Sequence, residues 1–235
     1  MTLKEAVDRD LEDILAWKLE IEQRDRPPSS RDVTLGSNAA TFPATVFYTD
    51  VRQSSALTDN HRRETVTKAL NAFVNAAVRI VRHHGGEVRS FNGDGLLAFF
   101  FGDASENRAV VSGLKLAKVT RLLSARVQQK WNMHFDAGIG LARGTVMAAK
   151  VGIRGTNNNA MIWPSEATNF AAKLGQQAKA PKRLAVSAEV FGAISQDLKT
   201  APLFWTFRSS FWESFELPFA GGRRKAYRTA HHMNL

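Results

Sequence analysis

Two aspartates stand where apolar, strand-like stretches end. Asp50 follows the stretch Thr45–Phe47, and Asp94 lies in a tight turn between the stretches Glu87–Phe91 and Leu96–Phe101. If those strands are neighbours, the two carboxylates meet. Magnesium prefers a few carboxylates together with substrate phosphates, and it assists phosphate transfer. The spacing therefore indicates metal-assisted phosphate chemistry, although Asp94 taken alone is also an ordinary hairpin residue.

The composition is typical of a globular protein. The chain has 235 residues, of which 44% are hydrophobic and 23% charged, enough for one well-buried domain with appendages or two small ones. It has no cysteine, which excludes disulfides and thiolate metal sites. The longest apolar run, Leu96–Phe101, is far shorter than the roughly 20 residues of a membrane helix, and the start of the chain is too acidic for a signal peptide. We expect a soluble, cytoplasmic protein that does not enter a membrane.

The net charge of +10 raises the question of nucleic-acid binding. The basic residues are scattered, and their densest clusters, Arg62–Arg63 and Arg223–Lys225, have no aromatic residues interleaved with them. Nucleic-acid binding is therefore the less favoured interpretation. A positive surface that attracts a nucleoside triphosphate, or a solvated face, explains the charge more simply.

Residues 1–26 have apolar positions at helical spacing, which predicts a helix. They carry eight acidic and five basic residues, against a positive remainder. The helix either packs on its own domain or pairs with a second chain, and the sequence leaves both interpretations open. A Pro/Ser-rich break and a polar stretch to Ala40 predict a linker. The apolar positions are Leu3, Val7, Leu11, Ile14 and Ile21.

From residue 41 the pattern predicts an α+β fold with a ferredoxin-like βαββαβ skeleton. Residues 41–200 form the predicted main domain, after an N-terminal helix and linker at 1–40. Residues 201–235 are a predicted β extension, rich in aromatic side chains and packed on the same domain. The predicted elements are a strand ending at Val51, a helix at 55–83, a hairpin at 87–101, a helix at 104–131, strands at 135–141, 145–151 and 161–163, a helix at 166–177 and a strand at 184–187.

The order of four short motifs resembles the class III nucleotidyl cyclases over about residues 43–190. The motifs are Tyr48–Val51, the hairpin Phe91–Phe100, Gly140–Val146 and Glu166–Leu174. Each motif alone is weak, whereas four in this order are fairly specific. The resemblance implies a homodimer whose active sites lie at the interface, with metal ligands from one protomer and transition-state residues from the other.

The resemblance also implies the roles of the residues around Asp50. Asp50, Asp94 and the backbone carbonyl of Val51 would hold two divalent cations, Mg²⁺ or Mn²⁺. Amides at the start of the following helix would bind the phosphates of a nucleoside triphosphate, because a helix N-terminus presents unpaired N–H groups. These amides belong to Arg52, Gln53, Ser54 and Ser55.

The catalytic residues implied by the resemblance are Asn169 and Lys173, which share one helix face. The asparagine would orient the ribose, and the position of Lys173 is usually an arginine that stabilises charge on the α-phosphate. A lysine supplies the charge without the planar fork. If Lys173 is only a solvated lysine, Arg143 or Lys150 could supply the charge instead.

The base-reading positions depart from the purine cyclases. Those enzymes have Lys or Glu where this chain has Ser90, and Asp, Thr or Cys where it has Ile162. The chain is in this respect similar to the Pycsar pyrimidine cyclases of bacterial antiphage defence, which implies UTP, in preference to CTP, as substrate and a separate effector that responds to the cyclic product. Candidate base-binding residues are Tyr48, Ser90, Asn92 and Ile162.

Two alternatives remain open at this point. One is an adenylate or guanylate cyclase with an unusual base pocket. The other is a non-catalytic cyclase-like domain that binds nucleotide or dimerises, although its expected mark, loss of a metal aspartate, is missing from this chain.

Overall fold

The structure, a computed structural model, describes residues 1–153, 155–202 and 208–235, and the side chains of Asn92, Ala201, Pro202 and Arg208 lie outside that description. The chain divides into two compact units, which we describe separately. The smaller unit consists of Met1–Pro43 and Thr145–Ser165, and the larger unit of Ala44–Gly144 and Glu166–Leu235.

The described residues form seven helices and eleven strands. The helices are α1 (Leu3–Leu15), α2 (Ser54–Asn60), α3 (Arg63–His83), α4 (Ser105–Trp131), α5 (Glu166–Gln177), α6 (Ala188–Ala193) and α7 (Gln196–Lys199). The strands are β1 (Glu20–Gln23), β2 (Asn38–Val51), β3 (Glu87–Asn92), β4 (Gly95–Phe100), β5 (Ala137–Gly152), β6 (Asn159–Ile162), β7 (Leu184–Ser187), β8 (Thr200–Pro202), β9 (Arg208–Ser210), β10 (Trp212–Phe219) and β11 (Gly222–Thr229).

The larger unit has the predicted ferredoxin-like core. The elements β2, α3, β3, β4, α4 and β5 follow one another along the chain, and their strands lie in the order β5–β2–β4–β3. Strand β7 extends this sheet parallel to β5, and the hairpin of β10 and β11 continues it through the antiparallel pair β11–β7. The predicted fold class is confirmed.

Helices α3 and α4 cover one face of this sheet. Alternate residues of the strands, such as Phe47 on β2 and Ala98 on β4, join a buried cluster with apolar residues of both helices, such as Phe73 and Leu114. These strands are buried on that face and pleated with a period of two. The other face is therefore available to a different element.

Helix α5 packs on that other face, directly on the backbone of β5. Gly138 and Gly140 alternate along β5 with residues of the buried cluster. A β-carbon on Gly140 would lie 1.9 Å from the carbonyl oxygen of Ala171, and one on Gly138 would lie 2.0 Å from that of Gly175. The close approach of α5 thus depends on two positions without side chains.

In the smaller unit, helix α1 begins at a capping box formed by Thr2 and Glu5 and contains no buried residue. Strand β1 runs parallel to the first residues of β2, and β6 runs antiparallel to the last residues of β5. The apolar stripe of α1 is exposed, with Leu11 54% and Ile14 45% accessible. The structure therefore gives no support to the interpretation that this helix is packed into its own domain.

Three sequence-based boundaries were wrong. The predicted helix at 1–26 ends at Leu15, and Ile21 belongs to β1, because this segment pairs with the start of β2. The predicted helix at 55–83 is two helices, separated at His61, whose backbone is extended. No apolar residue lies between Leu57 and Val66, so burial does not hold the chain helical there.

The third wrong boundary concerns β5. Two strands were predicted on either side of Arg143–Gly144, but a single strand runs from Ala137 to Gly152. Glycine weakens a strand without ending it, since it can adopt extended backbone like any residue. The helices at 104–131 and 166–177 and the strand at 184–187 were predicted within one residue of their observed bounds.

The aromatic tail forms the predicted short strands. Phe219 on β10 packs on Phe170 of α5, with ring centroids 4.7 Å apart, and Phe191 stacks on Tyr227 at 3.7 Å. Phe204, Trp205 and Phe207 lie outside the described residues. Within the part of the chain that the structure describes, no helix has the length and apolar character needed to cross a membrane.

Candidate active site

The two predicted aspartates meet in the structure. Asp50 lies near the end of β2, and Asp94 occupies the turn between β3 and β4. Strands β2 and β4 are antiparallel neighbours, with Thr49 opposite Leu96, so the end of one strand meets the start of the other. The carboxyl groups of Asp50 and Asp94 lie within hydrogen-bonding reach of each other. The convergence inferred from the strand pattern is therefore present.

Burial and the neighbouring Asp94 oppose the ionisation of Asp50. The pKa of Asp50 is raised to about 6, first by burial, then by the charge of Asp94 and a hydrogen bond with it. The backbone N–H of Val51 and the charge of Arg52 act weakly in the other direction. The oxygen Oδ2 of Asp94 is buried and accepts no hydrogen bond from the described residues. Such a pair suits a divalent cation, which would neutralise both charges and occupy the unsatisfied oxygen.

Tyr48 lies beside this carboxyl pair, two residues before Asp50 on the same strand. Burial, followed by the charges of Asp50 and Asp94, raises the pKa of its hydroxyl. Its ring packs against Gly175 of α5, where a β-carbon would lie 3.1 Å from Cδ1 of Tyr48. Tyr48 therefore connects the carboxyl pair with α5, and its predicted role in base binding stays a prediction.

A cleft of about 220 Å³ opens next to Asp50. It is lined by residues that follow β2 and by the end of α5: Asp50, Val51, Arg52, Gln53, Gly175 and Gln176. Gln53 precedes α2 in left-handed backbone conformation (φ 53°) and makes no side-chain cap. The first amides of a helix have no intrahelical acceptor. The start of α2 therefore presents N–H groups at the residues predicted to bind phosphate.

One of the four predicted phosphate-binding amides is occupied. The N–H of Arg52 donates to the carbonyl oxygen of Asp136 at 2.9 Å, so it does not face a phosphate. The remaining candidates for phosphate binding are the amides of Gln53, Ser54 and Ser55. The guanidinium of Arg52 is also engaged, since its Nη1 donates to the carbonyl oxygens of Gln176 and Ala178. Sequence reasoning missed these contacts because they join segments distant along the chain.

Asn169 and Lys173 lie on α5, outside the cleft. Asn169 is exposed and Lys173 is partly exposed, while Phe170, Ala171 and Leu174 form the buried face of the helix. Among the described residues, the side chains of Asn169 and Lys173 contact no hydrogen-bond or ion-pair partner. Within one chain, the structure thus does not bring them together with the carboxyl pair.

The two alternative cations have other partners. Arg143 forms an ion pair with Glu106 at 2.9 Å. In the smaller unit, Lys150 donates from Nζ to the carbonyl oxygen of Ser30 at 2.7 Å. Both side chains therefore already have a partner, whereas the side chain of Lys173 has none among the described residues. Lys173 remains the candidate for the cation that stabilises charge on the α-phosphate.

The candidate base-binding residues fall in different places. Ser90 is half-buried on β3 opposite Leu97, which on its other side lies opposite Tyr48, so Ser90 and Tyr48 point to the same face of the sheet. The side chain of Asn92 lies outside the described residues. Ile162 belongs to the smaller unit, where it is 37% exposed at the end of β6. Their role in binding a base stays a prediction.

No group of three or more His, Cys, Asp or Glu side chains suited to a metal occurs among the described residues. A cation bound to Asp50 and Asp94 would need further oxygens from the backbone or the substrate, as magnesium sites on phosphates do.

Two uridylate cyclases are similar in sequence. The protein from Rhodovulum sp. (strain MB263) is 34% identical over 154 residues, which cover 63% of each chain, so this chain spans slightly less than two thirds of that relative. The protein from Burkholderia cepacia is 29% identical over 189 residues, which cover 78% of this chain and 81% of the relative.

Solved cyclase structures share the fold. The guanylyl cyclase Cya2 has a TM-score of 0.66 at 18% identity and covers 82% of this chain and 94% of its own. The adenylyl cyclase CyaB from P. aeruginosa has a TM-score of 0.65 at 18% identity, with 81% of this chain and 95% of its own covered.

The sequence model of one protein family covers most of the larger unit. This family is described as the adenylate and guanylate cyclase catalytic domain, and its model matches residues 38–203, which is more than half of the chain. The match includes both aspartates and helix α5. The chain therefore belongs to the family of adenylate and guanylate cyclase catalytic domains.

Proposed function

We propose that this protein is a nucleotidyl cyclase that converts UTP into its 3′,5′-cyclic monophosphate and pyrophosphate. The observation that carries this proposal is the adjacent carboxyl pair of Asp50 and Asp94, beside a cleft that is also lined by Gln53, the residue that precedes α2. Cations held there lie next to amides that can bind phosphate. The names of the two sequence relatives support a pyrimidine substrate.

The carboxyl pair fits two divalent cations, Mg²⁺ or Mn²⁺. Asp94 has a buried oxygen without a donor in the described chain, and the ionised form of Asp50 is disfavoured by Asp94, so bound cations would relieve both. We assign Asp50, Asp94 and the carbonyl oxygen of Val51 as ligands. When bound, such ions lower the pKa of the ribose 3′-hydroxyl and neutralise triphosphate charge.

The chain's own residues bind and orient the substrate. The amides of Gln53, Ser54 and Ser55 receive oxygens of the triphosphate at the positive end of α2. The 3′ oxygen forms a bond to the α-phosphorus as the bond from that phosphorus to the leaving pyrophosphate breaks, and the hydroxyl proton is lost to water. Charge that develops on the α-phosphate needs a cationic side chain, a role that we assign to Lys173.

The active site is completed by a second copy of the chain. Asn169 and Lys173 do not line the cleft beside Asp50, and their side chains have no hydrogen-bond or ion-pair partner among the residues that the structure describes. In a homodimer, the carboxyl pair of one chain faces α5 of the partner subunit, and each dimer contains two such sites. Asn169 then orients the ribose and Lys173 faces the α-phosphate.

The proposed preference for a pyrimidine base rests on the lack of a hydrogen-bonding side chain that purine cyclases have. Ser90 stands where purine cyclases carry Lys or Glu, so the usual hydrogen-bonding partner of a purine edge is replaced by one small hydroxyl. UTP is proposed over CTP because of the relatives' names. On this proposal the cyclic product is a second messenger of antiphage defence that activates a separate effector.

The experiment that tests this function compares the four nucleoside triphosphates. The purified protein is incubated with ATP, GTP, CTP or UTP and Mn²⁺, and pyrophosphate and cyclic nucleotide are measured for each. Cyclic UMP is expected to form fastest, and Asp50→Ala is expected to form none. A faster reaction with ATP or GTP would contradict the pyrimidine assignment, and the absence of any cyclic product would favour a non-catalytic nucleotide-binding dimer.

A further inference from the structure

Arg52 clamps the C-terminal end of helix α5. Its Nη1 donates to the carbonyl oxygen of Gln176 at 2.7 Å and to that of Ala178 at 3.0 Å. Carbonyl groups at the end of a helix lack intrahelical donors and form the negative end of its dipole. Both hydrogens of Nη1 are donated to such carbonyl groups, and this pair of hydrogen bonds fixes the position of the end of α5.

The backbone of Arg52 is fixed as well. Its N–H donates to the carbonyl oxygen of Asp136, whose carboxylate accepts from Nε of Arg183 at 2.6 Å and from the N–H of Ala180 at 3.0 Å. The side chains of Asp136 and Arg183 are only 10% and 11% exposed, so this ion pair is largely buried. Residues 178–183, which follow α5, are thereby bound to the same point as Arg52.

The clamp lies beside the carboxyl pair. Arg52 follows Val51 and Asp50 directly, and the three residues line one cleft together with Gly175 and Gln176 of α5. The charge of Arg52 also reaches Asp50, because it favours the ionised form of that carboxyl group. A displacement of the end of α5 therefore has to move the segment that holds Asp50.

The other end of α5 is held by different contacts. Arg224 on β11 pairs with Glu166 at the start of the helix, and its guanidinium lies 5.2 Å from the ring centre of Phe170. These contacts hold the start of α5, whereas Arg52 donates to carbonyl groups at its end, where Gly175 also packs on Tyr48. A helix held at both ends presents Asn169 and Lys173, which lie between them, in a defined position.

We infer that Arg52 is a positioning residue that fixes the position of helix α5 and thereby couples the two active sites of the homodimer. The inference rests on the proposed function, in which the α5 of one chain serves the carboxyl pair of its partner. Arg52 then belongs to the metal-binding segment of one site while it holds the helix that serves the other site. It acts through α5 rather than on the phosphates, because its amide and Nη1 are already donated to carbonyl oxygens.

Heterodimers with a single intact site can test this inference. One chain carries Asn169→Ala and keeps its carboxyl pair, and we call it the carboxylate chain. The other carries Asp50→Ala and keeps its α5, and we call it the helix chain. Each homodimer is expected to be inactive, so that the activity of the tagged and purified heterodimer comes from the one site with an intact carboxyl pair and an intact α5.

Arg52→Ala is then placed on either chain of this heterodimer. On the helix chain it is expected to lower kcat about tenfold or more, with a smaller change in KM. The reason is that a displacement of catalytic groups by about 1 Å lowers the rate by at least this factor. On the carboxylate chain the loss is expected to be several times smaller, because the α5 of that chain serves the inactive site. Arg52→Lys on the helix chain, which keeps a donor, is expected to restore part of kcat.

The outcomes separate this inference from the function on which it rests. If the heterodimer without any change at Arg52 has no activity, the shared-site proposal fails and this inference with it. If the heterodimer is active but Arg52→Ala lowers kcat equally on both chains, or more on the carboxylate chain, the positioning role alone is overturned. If Arg52→Ala prevents folding, Arg52→Lys is compared on the two chains, and the same asymmetry is required.

Arg108 provides the matched control. Its Nη1 donates to the carbonyl oxygens of His84 and Gly85 after α3, a clamp of the same kind that makes no hydrogen bond to α5 within the described part of the chain. Arg108→Ala is expected to lower the melting temperature and to affect kcat equally on either chain. A chain-dependent loss with Arg108→Ala would show that the asymmetry is not specific to Arg52 and would overturn the inference.

Discussion

The carboxyl groups of Asp50 and Asp94 lie side by side, and burial together with the charge of Asp94 raises the pKa of Asp50 to about 6. Asp50 lies on β2 and Asp94 in the turn before β4, and they meet only because β2 and β4 are neighbours in the sheet. Like charges in a buried site are unfavourable unless a cation or a proton compensates them. This relationship explains both the assignment of a metal site and its dependence on pH.

Asp50→Asn and Asp94→Asn are each expected to lower cyclase turnover at least about a hundredfold, because an amide replaces a charged metal ligand. Turnover with Mn²⁺ and the melting temperature without metal are measured for each variant. Asp59→Asn, an exposed residue of α2, is the control and should keep full turnover. Full activity of either active-site variant would refute the metal assignment.

The metal-free protein is expected to lose stability as pH rises through about 6. The pKa of Asp50 is higher in the folded chain than its ordinary value of 3.8, so its contribution to the free energy of unfolding is full below about 4 and lost above about 6. The free energy of unfolding of Asp50→Asn, relative to that of wild type, should therefore rise by about 1 kcal/mol from pH 4 to pH 7.5, after allowance for solvent screening.

Urea unfolding of both proteins in EDTA measures this difference across the pH range. Added Mg²⁺ or Mn²⁺ at pH 7.5 is expected to stabilise wild type and to leave Asp50→Asn unchanged. A free-energy difference that does not vary with pH would mean that Asp50 is an ordinary exposed carboxyl group.

Gly140→Ala is expected to displace α5. Its β-carbon would lie 1.9 Å from the carbonyl oxygen of Ala171, a backbone atom that cannot swing away. We expect a loss of about 2 kcal/mol or more in the free energy of unfolding, together with a loss of turnover. Gly192→Ala, whose β-carbon meets nothing within 4 Å, is the control and should stabilise α6 by about 0.5 kcal/mol. Equal stability of the two variants would contradict the close packing of α5.

Lys173→Ala is expected to lower kcat about a hundredfold with a smaller effect on KM, because its charge is needed most when charge develops on the α-phosphate. Lys173→Arg should keep most of kcat, since it retains the charge and adds a planar fork. Steady-state rates with UTP measure both, and Gln177→Ala, one turn further along the helix, is the control. If Lys173→Ala keeps wild-type kcat, the cation of the transition state must be another residue.

Elements with a strong local pattern could be predicted from sequence. Helix α4 has regular apolar spacing, and α3 ends at His83, two residues before Gly85, whose positive φ suits the chain just after a helix C-terminus. The hairpin at Asp94 followed from a turn flanked by apolar runs. The errors lie where local signals are weak: β1 forms because it pairs with β2, and the break at His61 forms because nothing there is buried.

The placement of several candidate site residues could not be predicted. Lys173 and Arg143 are both cations in the right part of the chain, and only the structure shows that Arg143 is paired with Glu106. Arg52 was predicted to offer its amide to phosphate, but that amide is bonded to Asp136. A hydrogen bond between segments distant along the chain has no local signature.

The sequence by itself determined the chemistry of this protein. It supplies two carboxylates at strand ends and the helix that carries Asn169 and Lys173, since local periodicity and turn residues specify each strand, turn and helix separately. The tertiary structure alone decided that the carboxyl groups of Asp50 and Asp94 lie close together, that α5 rests on Gly138 and Gly140, and that Arg52 holds the end of α5. These are contacts between distant segments, and such contacts exist only once the sheet has brought the segments together.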